Sequence, residues 1–359
     1  MDHPLQAAAA ERHPLEAGGG GSEPSSPVFA GVPQVHQQAP PPPQTPLPPH
    51  VRGLDLLYAL ACRGRWAEVT SAAVRQLGDT STRPSEVLAL VTMHALALSK
   101  QRLYNAADDI LRGQAMAAAL RDAIQAQGEQ CVPFALHLLR AELPQHLGRP
   151  GETLDALCML HDTCVRHARS ATDGSAVWRR RAWSCVCRVV VFHTTRGELR
   201  SALAWLDIHT RDTALCEPHH VLLARQAAAH LCLQAGDPQA AAAAAGGVSH
   251  VPELLLANRD FVGAARAFHQ AYVAAPTLPI SANNAAVAAV YRGDVEGAAT
   301  MLRAASQGDR THIVEPLVLN SCVVSDLGSP DPVASRAALA AMVATASDDF
   351  DAIAAMGMH

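Results

Sequence analysis

Between Asn258 and Ala305 the chain repeats one spacing pattern at a distance of 34 residues. In the first copy Phe261, Ala264, Phe268, Ala271 and Pro276 stand at offsets of three, seven, ten and fifteen. In the second, Val295, Ala298, Leu302 and Ala305 take up the first four positions again. Ala264 and Ala298 stand where two paired helices must approach closely, and the bulky residues fill the space beside them. Pro276 closes the second helix, because proline cannot continue an interior hydrogen-bond ladder. The helices join through Asn258-Arg259-Asp260 in one copy and Arg292-Gly293-Asp294 in the next. Glycine at a helix end takes the left-handed conformation, and aspartate caps the helix that follows. A chance amphipathic helix gives the three-four spacing, but not the turn, the proline and the 34-residue return together.

Two antiparallel helices and a turn every 34 residues is the tetratricopeptide (TPR) period. Similar turn signals recur from Leu54 onward: Arg63-Gly64-Arg65, Lys100-Gln101-Arg102, Gly148-Arg149-Pro150, Arg196-Gly197-Glu198 and Gly236-Asp237-Pro238, then the two just described. Each ends one apolar-periodic segment and opens another. Seven turns predict roughly fourteen helices. The fold class is therefore all-α, a TPR-like α-solenoid of antiparallel helix pairs over residues 51–359. The spacing is uneven. A loop is expected at Ser170 to Ser175, and the run from Pro238 to Phe261 is too short for two full helices. Its alanines, Gly246-Gly247 and Pro252 predict a truncated or distorted pair.

Residues 1–50 hold twelve of the 24 prolines, with GGGG at Gly18 to Gly21 and PPPP at Pro40 to Pro43. Such a composition cannot bury a core and predicts a disordered arm. Its PxxP stretches, Pro43 to Pro46 and Pro46 to Pro49, lack a basic residue at the usual flanking offset, so they read as linker. The remaining chain is rich in Ala and Leu and only 4% aromatic overall, as suits packed helices. A net charge of −5 argues against a general polyanion-binding surface, and no nucleic-acid partner is expected. The nine cysteines form no C-x-x-C pair, which points to reduced thiols in a cytoplasmic setting rather than a disulfide framework. No run matches the ~18–20 apolar residues of a membrane span. The nearest, Val221 to Ala235, is broken by Arg225, Gln226 and His230.

Chemistry-bearing residues are few. Cys158, His161, Cys164 and His167 form C-x-x-H-x-x-C-x-x-H, good zinc ligands by type. On one helix, steps of three residues rotate by about 300° each and spread the four around half the cylinder, so at most two could share a metal. His219-His220 and Cys185-Val186-Cys187 are weaker signals. Trp178-Arg179-Arg180-Arg181-Ala182-Trp183, with Arg188, is the one basic-aromatic cluster. It reads either as a patch for phosphate, nucleic acid or anionic lipid, or as a helix with its tryptophans inside and its arginines solvated or paired. Asn283 and Asn284 can hydrogen-bond a peptide carboxylate or backbone in a TPR groove, or cap a helix. The stretch Leu278 to Ala289 has no Lys or Arg to complete a chaperone-type carboxylate clamp. No phosphate loop, zinc-protease, nucleophile-elbow or dinucleotide motif occurs. We therefore expect no catalytic residue, cofactor or metal. The candidate interface residues are Asn283, Asn284, Trp178 and Arg180.

Several stretches carry a resemblance in order along the chain. They are LLYALACRGRW (Leu56 to Trp66), VPFALHLLRAEL (Val132 to Leu143), QHLGRP (Gln145 to Pro150) and TLDAL (Thr153 to Leu157). VWRRR (Val177 to Arg181), ANNAAV (Ala282 to Val287), PLVLN (Pro316 to Asn320) and SDDF (Ser347 to Phe350) follow. From Leu54 to Met356 the chain resembles the subunit 12 family of the trafficking protein particle (TRAPP) tethering complex. The resemblance implies a TPR-containing subunit of TRAPP III, bound to other TRAPP subunits. In that family small core subunits activate a Rab GTPase, and larger peripheral subunits help determine which complex forms and where it acts. It further implies ER-to-Golgi vesicle transport and autophagy, and peripheral association with the Golgi and the ER-Golgi intermediate compartment. The chain departs from the family in its short N-terminal region, its shortened pair after Gly236-Asp237 and its wide use of alanine.

Function is then expected to be that of a non-catalytic scaffold in a vesicle-tethering, Rab-activating complex. The alternatives are a generic TPR adaptor for peptides or chaperones, and a regulatory domain that uses the Trp178 to Arg188 patch.

Overall fold

The computed structural model describes residues 53–78, 84–128, 132–170, 175–246, 252–276, 278–306, 313–328, 331–344 and 346–350. All lie in the unit Pro41–His359. The expected arm, residues 1–50, lies outside the described residues. Helix α1 (Gly53–Ala61) pairs with α2 (Trp66–Leu77), and α3 (Pro84–Lys100) with α4 (Tyr104–Arg112). A single helix, α5 (Gln114–Gln127), follows. Then come α6 (Phe134–His146) with α7 (Pro150–Ser170), α8 (Ser175–Thr195) with α9 (Leu199–Arg211), and α10 (Pro218–Gln234) with α11 (Pro238–Ala245). The array continues through α12 (Pro252–Ala257) with α13 (Phe261–Ala274) and α14 (Pro279–Tyr291) with α15 (Val295–Ser306). It ends in α16 (Glu315–Gly328) and α17 (Pro332–Val343). Seventeen helices thus stand among the described residues, where the turn signals imply fourteen. The additional three are α5, α16 and α17. Helix α5 follows α4 after the single extended residue Gly113 and has no turn of the recurring type.

All seven turns read from the sequence share one geometry. In each, one residue is left-handed: Gly64, Arg102, Gly148, Gly197, Gly236, Arg259 and Gly293, with φ between 61° and 83°. The next backbone N–H then reaches back to the carbonyl five residues earlier. Arg65 donates to Leu60, Leu103 to Leu98, Arg149 to Pro144 and Glu198 to His193; Asp237, Asp260 and Asp294 donate to Cys232, Leu255 and Ala289, all at 2.8–3.1 Å. This is the Schellman closure, which satisfies carbonyls that a helix end leaves open. Arg259 takes the left-handed conformation without being glycine, at a cost of about 1–2 kcal/mol, where Gly293 serves in the next unit.

Asp237, Asp260 and Asp294 cap the helices they precede, each accepting a 2.8 Å hydrogen bond from the backbone N–H three residues on. In the last two units that residue is Gly263 or Gly297, and a side chain at either position would collide with the capping carboxylate. The 34-residue repeat therefore extends to an Asp-x-x-Gly pair. Inside it, Ala264 and Ala298 are fully buried, and Phe268 and Leu302 fill the core beside them. Phe261 is half-buried and stacks on Tyr291, with ring centroids 5.4 Å apart, while Ala271 is exposed. The short pair is present as expected: α11 has eight residues, and α12 has six, none of them buried.

Each helix packs on the next, except that α6 leans on α3 and α4 while α5 rests on those same two helices. First helices of neighbouring pairs also touch, α1 with α3, α10 with α12 and α14 with α16. Finally, the segment after α17 returns to the first two pairs. The N–H of Asp348 donates to the carbonyl of Gly64 at 3.0 Å. Lys100 Nζ lies 3.0 Å from Asp349 Oδ2, and Arg102 lies 3.9 Å from Glu315 at the start of α16.

Candidate interaction surface

Helix α8 carries the basic-aromatic cluster, and its residues separate by helical phase. Ala182 and Cys185 are buried, and Trp183 turns inward against His220 and His209, with centroids 5.0 Å and 5.2 Å away. Arg179 faces the start of α10, 3.5 Å from Glu217, and Arg188 lies 3.3 Å from Glu142 on α6. Arg180 is exposed. Trp178 is half-buried and stacked on His167 of α7 at 4.3 Å, and the Arg181 guanidinium lies 4.4 Å from the centre of the same ring. Of the two readings of this stretch, Trp183, Arg179 and Arg188 follow the structural one, while Trp178, Arg180 and Arg181 remain at the surface.

Behind α8 lies a group of histidines not apparent from the sequence. His161 (α7), His209 (α9) and His220 (α10) gather around Trp183 and Trp205, with neighbouring histidine centroids 6.2 Å and 6.5 Å apart. Neither ring nitrogen of His209 has a hydrogen-bond partner among the described residues, nor does Nε2 of His161 or Nδ1 of His220. Burial, then the neighbouring His161 and His220, push the His209 pKa down to about 4. Burial lowers His161 and His220 in the same direction. Three imidazoles on three helices are thus kept neutral. The metal-ligand spacing seen in the sequence is dispersed. His167 stacks on Trp178, and Cys164 pairs with the Cys185 thiol, which donation to Cys164, and then burial, keep protonated. Glu217, His219 and His220 do place ligand atoms within 4.8 Å of one another. They sit at the first turn of α10, where the helix dipole opposes a cation, and Glu217 already faces Arg179.

Asn283 and Asn284 lie in α14, which begins at Pro279 with Leu278 before it, so neither asparagine is its cap. Asn283 is 5% exposed, and its Oδ1 accepts a 2.8 Å hydrogen bond from the Asn320 amide of α16. This polar bridge joins the first helices of two successive pairs. Asn284 is half-buried beside it. The four candidate residues therefore form two separate groups, Trp178 and Arg180 on α8 and the asparagines on α14. No helix among the described residues is long and apolar enough to cross a membrane.

No protein-family model matches the chain. It is similar to trafficking protein particle complex subunit 12 of Mus musculus, 24% identical over 253 residues. The match covers 61% of this chain and 31% of that protein's length, a distant homology.

Proposed function

We propose that this chain is a non-catalytic adaptor subunit of a TRAPP-type vesicle-tethering complex. The observation that carries the reading is the likeness to a TRAPP subunit, running through a chain folded as an all-α array of helix pairs. Such arrays bury each pair against its neighbours and offer long composite surfaces to other proteins. In this role the chain binds other TRAPP subunits, and its link to a Rab GTPase and to vesicle or Golgi membranes is indirect. The processes served are ER-to-Golgi transport and autophagy, with the chain at the cytoplasmic face of the Golgi and the ER-Golgi intermediate compartment. Contacts are made through Arg180 and Trp178 on one face and Asn284 on another, with Asn283 setting the spacing of α14 and α16 from within.

Affinity purification of the full chain followed by mass spectrometry tests this. Small TRAPP core subunits are expected, and Arg180→Ala is expected to lower their recovery with helix content unchanged. Recovery of a chaperone in their place would move the chain to the generic TPR adaptors. Nucleotide-exchange activity of the isolated chain on a purified Rab would overturn the non-catalytic assignment.

A further inference from the structure

We propose that the cavity walled by α5, α6, α7 and α8 docks a partner-protein segment in which an acidic residue adjoins a large apolar one. The cavity holds about 350 Å³, at the lower end of the roughly 300–1,000 Å³ typical of ligand pockets. Much of its wall is apolar, including Ile124, Phe134, Leu160 and Trp178. Set into that wall are two guanidinium groups, Arg140 and Arg181, and none of the described lining residues is acidic.

Elsewhere on the surface arginines find carboxylates: Arg112 with Asp108, Arg149 with Glu152, Arg169 with Asp212 and Arg336 with Asp326. Arg181 has no such partner among the described residues. Its Cζ lies 4.4 Å over the Trp178 ring and 5.3 Å over the Phe134 ring, so aromatic groups flank it. Arg140 donates one N–H to the carbonyl of Leu111 at 2.8 Å and has no carboxylate partner among the described residues. Burial and the nearby positive charge of Arg112 lower its pKa below the usual guanidinium range, the mark of a cation lacking compensation. An uncompensated charge in a partly desolvated site favours an opposite charge strongly. Arginine recognises a carboxylate through its planar N–H fork. The rings that flank Arg181 belong to the same wall, so a carboxylate bound there brings its neighbouring side chain onto Trp178 and Phe134. An aliphatic or aromatic neighbour fills that space and a charged one does not. The complement is an acidic residue next to Leu or Phe.

The choice of a peptide rests on the adaptor reading above, while the pocket's chemistry is tested apart from it. The probe is a fluorescein-labelled, C-terminally amidated peptide SDLFS, titrated against the full chain by anisotropy, with SNLFS and SDGGS as partners. Saturable binding of SDLFS is expected, weakened about tenfold or more in SNLFS and in Arg181→Gln. Arg181→Lys, which keeps the charge, restores part of it, and Arg211→Gln on α9 changes nothing. Circular dichroism must show each variant folded, and Arg140→Gln provides a second test should Arg181→Gln not fold. Absence of binding at millimolar peptide, equal binding of SNLFS, or indifference to both arginine variants would overturn the proposal. So would binding of phosphatidylserine vesicles, lost in Arg181→Gln, with no binding of SDLFS. Binding of SDLFS by a chain that recovers no TRAPP subunits supports the pocket and removes the tethering-complex reading alone.

Discussion

The side chain of Asp348 accepts a 2.9 Å hydrogen bond from the backbone N–H of Ala67, a residue 281 positions earlier in the chain. Ala67 is the second residue of α2, whose own N-cap position is Arg65, a residue that makes no side-chain capping bond. Asp348 therefore does for α2 what Asp260 does for α13, but from the opposite end of the array. A helix N-terminus leaves several N–H groups open and favours a negative charge nearby.

Removing this remote cap is expected to cost what a local one does. Asp348→Ala should destabilise the fold by about 1 kcal/mol, within the range of about 0.5–2 found for N-cap losses. Thermal unfolding of the variant checks this, and an unchanged midpoint would mean that the contact is not held in solution.

A second substitution separates backbone strain from the same contact. Gly64 has a φ of +64°, and a side chain there would run into Cβ of Ser347. Gly293 has a φ of +83° with nothing within 4 Å. Both Gly→Ala changes incur the left-handed penalty of about 1–2 kcal/mol. Gly64→Ala should lose more, and should expose the segment around Ser347 to limited proteolysis where Gly293→Ala does not. Equal losses would place the segment elsewhere.

Within the repeat, burial should set the ranking. Phe268 is 5% exposed and packs with Ala264, Ala265, Ala285 and Ala288. Phe268→Ala should cost about 3–5 kcal/mol, as core aromatic truncations do. Phe261→Ala, which loses only a half-buried stack on Tyr291, should cost clearly less. A loss below about 1 kcal/mol for Phe268→Ala, the size of a surface change, would show the register to be wrong.

The neutral histidines make stability depend on pH. The folded pKa of His209, about 4, lies below its ordinary 6.5. Between those values the unfolded chain binds the extra proton, so stability is full above pH 6.5 and is lost as pH falls toward 4. One such shift is worth about 3 kcal/mol over that window. His161 and His220 act in the same direction. Melting temperatures from pH 7.5 to 4.5 should fall steeply for the native chain and less steeply for His209→Gln. Parallel curves would mean that His209 is solvated.

What the sequence made legible is local. The seven turns are written in short words, a left-handed position followed by an aspartate or a helix-starting residue, and all seven take the same closed form. The shortened pair is likewise announced by Gly246-Gly247 and Pro252. Helix α5 was hidden because a single extended glycine, Gly113, separates it from α4. The asparagines read as caps by residue type alone, but Pro279, four residues before Asn283, starts α14 and leaves both inside the helix. The histidine group could not be seen, since His161, His209 and His220 meet only once α7, α9 and α10 have packed. Arg181 and Arg140 lie 41 residues apart and share a cavity for the same reason.

A row of stacked pairs with two free termini can loosen one pair at a time, beginning wherever the last neighbour is missing. The contact of Ser347, Asp348 and Asp349 with Gly64, Ala67 and Lys100 leaves this row no such starting point, because the first and last pairs are held by each other. Peeling must begin by breaking that contact or at an interior weak place, of which α12, with no buried residue, is one. Amide exchange should therefore not grade smoothly from the ends inward. The outermost helices should share the protection of the interior ones, and the array should melt more nearly as one cooperative unit than its repeating construction suggests.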